Sequence, residues 1–309
     1  MNTDVLRSPK LKKGDLVRLV SPASYPDDSD VDAYVITLES WGLRCDKGEH
    51  ILSRHGYMAG SDSDRLKDLN SAYRDPQVRA IITTRGGAGA YRIADDIDFS
   101  AVRADPKPMI GFSDITSLHM SLYHSCRLGS IHGCIVGSEA QKSAKHLLMS
   151  TDPITLNRDP KSVSAAIAVV GKAQGPLIGG NLQMVATSIG VHMPSMNGAI
   201  LFLEYHRAGL GTIDRYLTQL LRSGVLEKVS GVVLGSFESC RDHIDRGWGV
   251  VNVLNDYFSK LNIPVLGGIR AGHDLKDING EYDQYCFPLG SIASIDVGEG
   301  TFSIESIMC

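Results

Sequence analysis

The sequence has neither the long apolar runs nor the excess of charge that would indicate a membrane or a nucleic acid as its partner. No stretch approaches the roughly 18 consecutive apolar residues of a membrane span. The 31 basic and 35 acidic residues leave a net charge of −4, so no strong basic field is available for nucleic acid. Aromatic residues make up only 6% of the chain, which argues against a base-stacking surface. We therefore expect neither partner.

Paired cysteines and a secretory signal are also missing from the sequence. None of the six cysteines lies in a C-x-x-C pair, which favours reduced thiols and a cytoplasmic protein. The first residues, MNTDVLRSPKLKKGD, carry charges but no apolar run behind them, unlike a secretory signal. We expect a cytoplasmic location.

Metal-binding patterns are equally scarce. No H-E-x-x-H sequence occurs. His119, His124 and His132 are close in sequence, but the first two are five residues apart, which places them about 140° apart on a helix. That spacing makes a poor chelate, and we expect neither a metal nor a cofactor.

What is present suits a soluble globular protein of two domains. The 309 residues are 43% hydrophobic and 21% charged, which is ordinary for that class. In the first half, apolar strands alternate with helical patterns, and this order predicts a parallel sheet of the Rossmann or flavodoxin-like type. The predicted segments are strands at 16–21, 43–45 and 80–84 and helices at 31–41, 62–73 and 91–97.

The second half of the sequence has a different pattern, in which short predicted strands are separated by glycine-containing turns. A polar stretch with two prolines begins near Ser150 and predicts a linker. We assign residues 1–150 to an N-terminal α/β domain, 151–171 to the linker and 172–309 to a smaller C-terminal α/β domain. Its predicted segments are strands at 199–204, 229–234, 292–296 and 301–305 and helices at 182–190, 213–221 and 250–261.

The stretch from Pro108 to Ser125, PMIGFSDITSLHMSLYHS, reads as a strand, a sharp turn and a helix. A serine at such a turn, here Ser113, is held beside helix N–H groups that favour a developing oxyanion. This is the arrangement of a nucleophile elbow, although Ile115 occupies the place of the usual second glycine. The same pattern also fits Ser113 or Asp114 as a helix cap.

A glycine-rich loop, Arg85-Gly86-Gly87-Ala88-Gly89, follows the strand before this elbow. Sites in open parallel sheets lie beyond the carboxyl ends of the strands, so this loop and Ser113 are candidates for one crevice. The G-x-G-x-x-G dinucleotide pattern is absent, and a phosphate loop or a plain tight turn remain alternatives.

A nucleophilic serine needs a base, usually a histidine oriented by a carboxylate. Composition cannot choose among ten histidines. His273 follows glycine on a loop, and Glu204 ends the apolar strand AILFLE. Sequence spacing does not show that either meets Ser113, so a surface histidine and a salt-bridged glutamate remain alternatives.

Four segments in the same order resemble the LD-carboxypeptidases, a family of serine peptidases that includes the microcin C immunity hydrolases. They are the glycine-loop segment from Gly56 to Ile93, KPMIGFSDITSLHMSLY with IHGC, GAILFLEYHRAGLGTIDRYL, and IPVLGGIRAGHDLKDINGEY. The resemblance implies a triad of Ser113, Glu204 and His273. It further implies oxyanion or substrate contacts from Arg85, Gly86, Gly87, Asp114 and Asn181, and a mixed, strand-rich C-terminal domain.

The activity implied by this resemblance is release of the terminal D-alanine from a murein tetrapeptide through an acyl-enzyme, as in peptidoglycan recycling. The family also suggests a homodimer. Two alternatives stay open: hydrolysis of a microcin C-type peptidyl nucleotide, and a catalytically silent protein that binds a peptide or a nucleotide.

Four features leave the roles of particular residues open. Ala88 stands where many family members carry an aromatic residue. His206 lies two residues after Glu204 and is an alternative to His273 as the partner of that carboxylate. Asn181 is also a plausible helix cap. The loop 274–283 carries an acidic set that would face solvent or a cationic substrate: Asp274, Asp277, Glu281 and Asp283.

Overall fold

The computed structural model describes residues 5–240 and 247–309, and the chain forms two compact units. The first unit contains the residues up to Asp152 together with Cys286–Gly290 and Ser306–Cys309, and the second contains Pro153–Tyr285 and Ser291–Glu305. Among the described residues, no helix combines the length and the apolar character needed to cross a membrane.

The first unit is built on a six-stranded sheet. Its strands are β1 (Leu16–Val20), β2 (Arg44–Lys47), β3 (Val78–Thr83), β4 (Met109–Gly111), β5 (Ser130–His132) and β12 (Phe287–Leu289). Their order across the sheet is β12-β5-β4-β3-β1-β2. The first five strands along the chain run parallel to their neighbours, and β12 is antiparallel to β5. The helices are α1 (Asp28–Ser40), α2 (Asp62–Arg74), α3 (Phe99–Ala104), α4 (Thr116–Cys126) and α5 (Ser138–Met149).

The two central strands β3 and β4 lead into the glycine loop and the Ser113 turn. β4 is entirely buried and β3 nearly so, as expected for parallel strands covered on both faces. Ile81 pairs with Met109 and Ile82 with Ile110, so both strands end at the same edge of the sheet. The glycine loop after β3 and the Ser113 turn after β4 therefore leave the sheet side by side, and the predicted parallel-sheet fold is confirmed.

The second unit contains an eight-stranded mixed sheet. Its strands are β6 (Ile154–Asn157), β7 (Ala168–Val169), β8 (Lys172–Asn181), β9 (Ile200–Glu204), β10 (Gly231–Leu234), β11 (Val265–Gly267), β13 (Ile292–Asp296) and β14 (Thr301–Ile304). Their order across the sheet is β6-β14-β13-β8-β9-β10-β11-β7. Its centre, β8 to β11, is parallel, and the outer strands are antiparallel. The helices are α6 (Leu182–Thr187), α7 (Leu210–Arg222), α8 (Val225–Lys228) and α9 (Val250–Phe258). This is the strand-rich α/β arrangement that the resemblance implies.

Three segments differ from the sequence predictions. In place of a helix at 91–97, a short 3₁₀ turn spans Ala90–Arg92. Asp98 caps the next helix by accepting the N–H of Ala101, so helix formation starts later. Part of the predicted linker forms the edge strand β6, whose side chains are mostly exposed or half-buried, so its sequence looks polar. Finally, β12 joins the first sheet although it lies within 172–309.

Candidate active site

Ser113 occupies a strained turn between β4 and α4. Its φ is +65°, a left-handed conformation that is uncommon for residues other than glycine. Phe112 before it is extended, and a 3₁₀ turn from Ser113 to Ile115 leads into the helix. Backbone strain of this kind costs about 1–3 kcal/mol and clusters at functional sites. The geometry is that of a nucleophile elbow, despite the missing second glycine.

Gly86 of the loop after β3 lies directly against this serine. A Cβ added at Gly86 would come within 2.7 Å of the Ser113 Cβ and 3.2 Å of its Oγ. Ser24, which sequence reasoning overlooked, holds the loop from the other side: its N–H donates to the Gly86 carbonyl, and its Oγ accepts the N–H of Ala88. Only glycine therefore allows the loop backbone to approach the serine so closely.

Asp114 points inward and stabilises the same loop. Its side chain accepts the backbone N–H of Ala90 at 2.7 Å, and the residue is only 3% exposed. Burial raises the pKa of Asp114 to about 6, although N–H groups and the nearby Arg65 favour the carboxylate. The predicted substrate-binding role of Asp114 stays a prediction, and its observed contacts are with the loop.

Arg65 is a buried cation that sequence reasoning did not single out. Its guanidinium donates at 2.7 Å to the carbonyls of Pro22 and Gly89 and also pairs with Asp62. One side chain of α2 thus connects the turn after β1 to the glycine loop. By contrast, the Arg85 side chain at the start of that loop is exposed.

Two of the histidines that are close in sequence, His119 and His132, contact residues of the first sheet. His119 is buried, its Nε2 lies 2.9 Å from the Gly111 carbonyl oxygen, and burial lowers its pKa to about 4. His132 in β5 stacks on Phe287, with ring centroids 5.2 Å apart. Within 5–240 and 247–309, no group of three or more histidine, cysteine or acidic side chains is arranged to hold a metal ion.

The second unit brings Glu204 and His273 together. Glu204 ends β9 and is fully buried, and its Oε2 lies 2.7 Å from His273 Nδ1. Asn181 at the end of β8 donates to the other carboxylate oxygen at 3.1 Å and also caps α6 through its side-chain oxygen. Neighbouring parallel strands thus place both residues, since Asn181 pairs with Glu204 in the sheet register.

The loop that carries His273 passes close to Glu204 at Gly272 and is held by three hydrogen bonds. Gly272 has a φ of +111°, and a Cβ there would lie 2.7 Å from Glu204 Oε2. Its N–H donates to Gln284, and its carbonyl accepts the hydroxyl of Tyr282. Ser236 donates to the carbonyl of His273. None of these supporting side chains has a local sequence signal.

The acidic set of loop 274–283 does not present one solvent-facing surface. Asp283 is only 3% exposed. Asp277 accepts backbone N–H groups of its own turn, from Asn279 and Glu281. Asp274 is bonded to Arg207 at 3.0 Å. Asp283 therefore does not face solvent as expected, because it is buried, whereas Glu281 is exposed.

Comparison with known proteins shows that both halves of the chain match domains of peptidases. Residues 17–133 match the LD-carboxypeptidase N-terminal domain, and residues 174–295 match the LD-carboxypeptidase C-terminal domain. The chain therefore belongs to the LD-carboxypeptidase family, as the sequence motifs indicated.

Named relatives fall into two groups. The chain is 33% identical to a probable murein peptide carboxypeptidase of Bacillus subtilis, over 96% of this chain and 93% of the relative. It is 28% identical to the microcin C7 self-immunity protein of Escherichia coli, over 80% of each chain. Among solved structures, a muramoyltetrapeptide carboxypeptidase from Oxalobacter formigenes matches with a TM-score of 0.81 and 26% identity, over 95% of this chain and all of that one.

Replacing Asp114 by Asn is expected to change how stability depends on pH. The folded-state pKa of Asp114 lies at about 6, above the ordinary 3.8, so its stabilising contribution is full below about pH 4 and is lost as the pH rises through 6. The Asn variant does not titrate there. Its free energy of unfolding relative to the native protein should therefore rise between pH 4 and 6, by on the order of 3 kcal/mol.

Urea unfolding of both proteins across this pH range measures the difference. Asn has one acceptor oxygen fewer than Asp, which shifts the free energy of unfolding by the same amount at every pH. The test therefore depends only on how the difference between the two proteins changes with pH. A difference that stays flat between pH 4 and 6 would contradict the raised pKa.

Proposed function

We propose that this protein is a serine peptidase that cleaves an L,D-amide bond and releases the terminal D-alanine from a murein tetrapeptide. The observation that carries the proposal is the hydrogen bond between buried Glu204 and His273 Nδ1. Such a bond selects the imidazole tautomer with Nε2 as the acceptor and stabilises the imidazolium once it forms.

In the proposed mechanism, Ser113 Oγ attacks the scissile carbonyl carbon while His273 Nε2 accepts its proton. The carbonyl oxygen becomes an oxyanion, for which backbone N–H groups of Gly86 and Gly87 are the proposed donors. Collapse of this intermediate breaks the C–N bond, and the departing D-alanine nitrogen takes the proton from His273. Water, deprotonated by the same imidazole, then hydrolyses the acyl-enzyme and regenerates Ser113.

The charge at the glycine loop supports a carboxylate-bearing substrate. Arg85 is exposed at the start of the loop that lies against Ser113. A guanidinium is suited to bind a carboxylate through two hydrogen bonds, so we propose that it meets the terminal carboxylate of the tetrapeptide. A cytoplasmic location, where recycled murein peptides would be met, and a homodimeric state remain predictions from the resemblance.

A direct substrate comparison tests this assignment. The purified protein is mixed separately with a murein tetrapeptide ending in D-alanine, its epimer ending in L-alanine, and a microcin C analogue, and products are followed by mass spectrometry. Release of D-alanine alone is expected. Cleavage of the microcin analogue alone would transfer the assignment to peptidyl-nucleotide hydrolysis. Binding without cleavage of any substrate would favour the silent binding protein.

Ser113→Ala should abolish turnover while leaving the fold intact, because the nucleophile is lost and the smaller side chain fits the same turn. The expected loss in kcat is on the order of 10⁴ or more. Labelling by a fluorophosphonate probe should disappear with it. Ser125→Ala, at a half-buried serine further along α4, serves as the matched control. A folded Ser113→Ala protein with near-normal turnover would remove Ser113 from the mechanism.

His273→Ala should reduce kcat by a similar factor, since no other group is proposed to accept the serine proton. His206, whose ring lies against His273, is the competing candidate. If His273→Ala turned over normally while His206→Ala was inactive, the roles assigned to these two histidines would be reversed. Circular dichroism of both variants establishes that the fold is retained.

Gly86→Ala should lower kcat by about 10²-fold or more, because a displacement near 1 Å of reacting groups has that effect. The added methyl would overlap the Ser113 Cβ and force the loop or the elbow to move. Gly211→Ala is the control, since a Cβ at Gly211 meets nothing within 4 Å. Equal kcat values for the two variants would contradict the proposal that catalysis needs the close approach of Gly86 to Ser113.

A further inference from the structure

His206, which follows β9, lies face to face with His273, which lies on the loop after β11. The two ring centroids are 3.6 Å apart, and the planes differ by 6°. This is van der Waals contact over the whole ring face. A hydrogen bond to Glu204 holds the Nδ1 edge of His273. The flat ring of His206 covers one face of the same imidazole and restricts its rotation out of that plane.

The backbone on both sides of the stack is arranged alike. Arg207 follows His206 with a φ of +49°, and Asp274 follows His273 with a φ of +56°. Both are left-handed conformations that are unfavourable for side-chain-bearing residues. The Arg207 guanidinium donates to the Asp274 carboxylate at 3.0 Å, so the residues that follow the two stacked histidines are themselves joined.

The charges around His206 suit a neutral ring. Burial, followed by the neighbouring His273, lowers the pKa of His206, against the opposite influence of Glu204 and Asp274 and with a smaller contribution from Arg207. Its Nδ1 lies 3.6 Å from the Asp274 carboxylate and makes no hydrogen bond to any described residue. A neutral ring does not oppose a positive charge on its stacking partner, whereas a second imidazolium would.

We propose that His206 is a positioning residue for His273, and that the stacked rings joined by the Arg207–Asp274 pair form a clamp that fixes the plane of the catalytic imidazole. The inference rests on the proposed function, in which His273 Nε2 accepts the serine proton. Within that reaction His206 needs no proton transfer of its own. Its contribution is the flat surface that aims Nε2.

Two substitutions at one position separate ring shape from imidazole chemistry. His206→Ala removes the stack, whereas His206→Phe keeps a flat ring and removes the nitrogens. For D-alanine release we expect kcat of His206→Ala to fall by about 10- to 100-fold, with KM little changed, and His206→Phe to retain most of the native kcat. His146→Ala, at a half-buried histidine of α5, is the matched control and should behave like the native protein.

A spectroscopic measurement on the full-length resting protein tests the clamp without substrate. In protein labelled with ¹⁵N-histidine, the His273 Nδ1–H signal, assigned by its loss in His273→Ala, reports the bond to Glu204. His206→Ala should speed its exchange with water, while His206→Phe should not. Should His206→Ala fail to fold, Arg207→Gln breaks the ion pair alone, and faster exchange of the same signal is again expected.

The outcomes are distinct. An unchanged kcat and unchanged exchange in His206→Ala, or in Arg207→Gln where His206→Ala does not fold, overturn the proposal. An equal loss of kcat in the Ala and Phe variants also overturns it, because the imidazole rather than its shape would then be needed. If the native protein released no D-alanine, the proposed function would fail while the exchange measurement still decided whether His206 positions His273.

Discussion

The burial of the Glu204 carboxylate is the constraint on which the arrangement of Asn181, Gly272 and His273 in the second unit depends. Removing a carboxylate from water costs several kcal/mol unless charge or hydrogen bonds compensate. Here the compensation comes from Asn181 on the neighbouring strand and from His273. Gly272 lies so close to the carboxylate that a side chain there would displace it. The carboxylate therefore dictates the position of the imidazole, and the loop is shaped to allow it.

The first unit holds a strained backbone at Ser113 and supports it with buried polar groups. The left-handed serine is unfavourable by itself, so the surrounding structure must hold it in place. β4 fixes the residues before it, and Asp114 after it is bonded to the glycine loop. Arg65 then connects that loop to the turn after β1. A single buried guanidinium thus stabilises the loops on which the serine's surroundings depend.

Much of this architecture was predictable because strand burial and chain order leave a direct pattern in sequence. The apolar runs of β3, β4 and β9 predicted the strands whose ends carry Gly86, Ser113 and Glu204. The pattern could not assign β12 to a sheet, since strand pairing depends on tertiary register. It also could not identify Arg65, which stands in the charged sequence DSDRLKDL. Among ten histidines, only the resemblance indicates His273, because sequence spacing does not show which histidine meets a serine.

The two adjacent imidazoles of His206 and His273 make different contacts, although their rings are stacked. Two imidazolium rings with centroids 3.6 Å apart would repel strongly, so the stack disfavours a positive charge on both rings at once. Glu204 meets His273 along the edge that carries Nδ1, whereas His206 presents its face. Burial and the neighbouring ring both lower the pKa of His206. The proposed division of roles follows from these contacts: His273, which is bonded to Glu204, is the proposed base, and His206, whose pKa is lowered, is the proposed flat surface beside it.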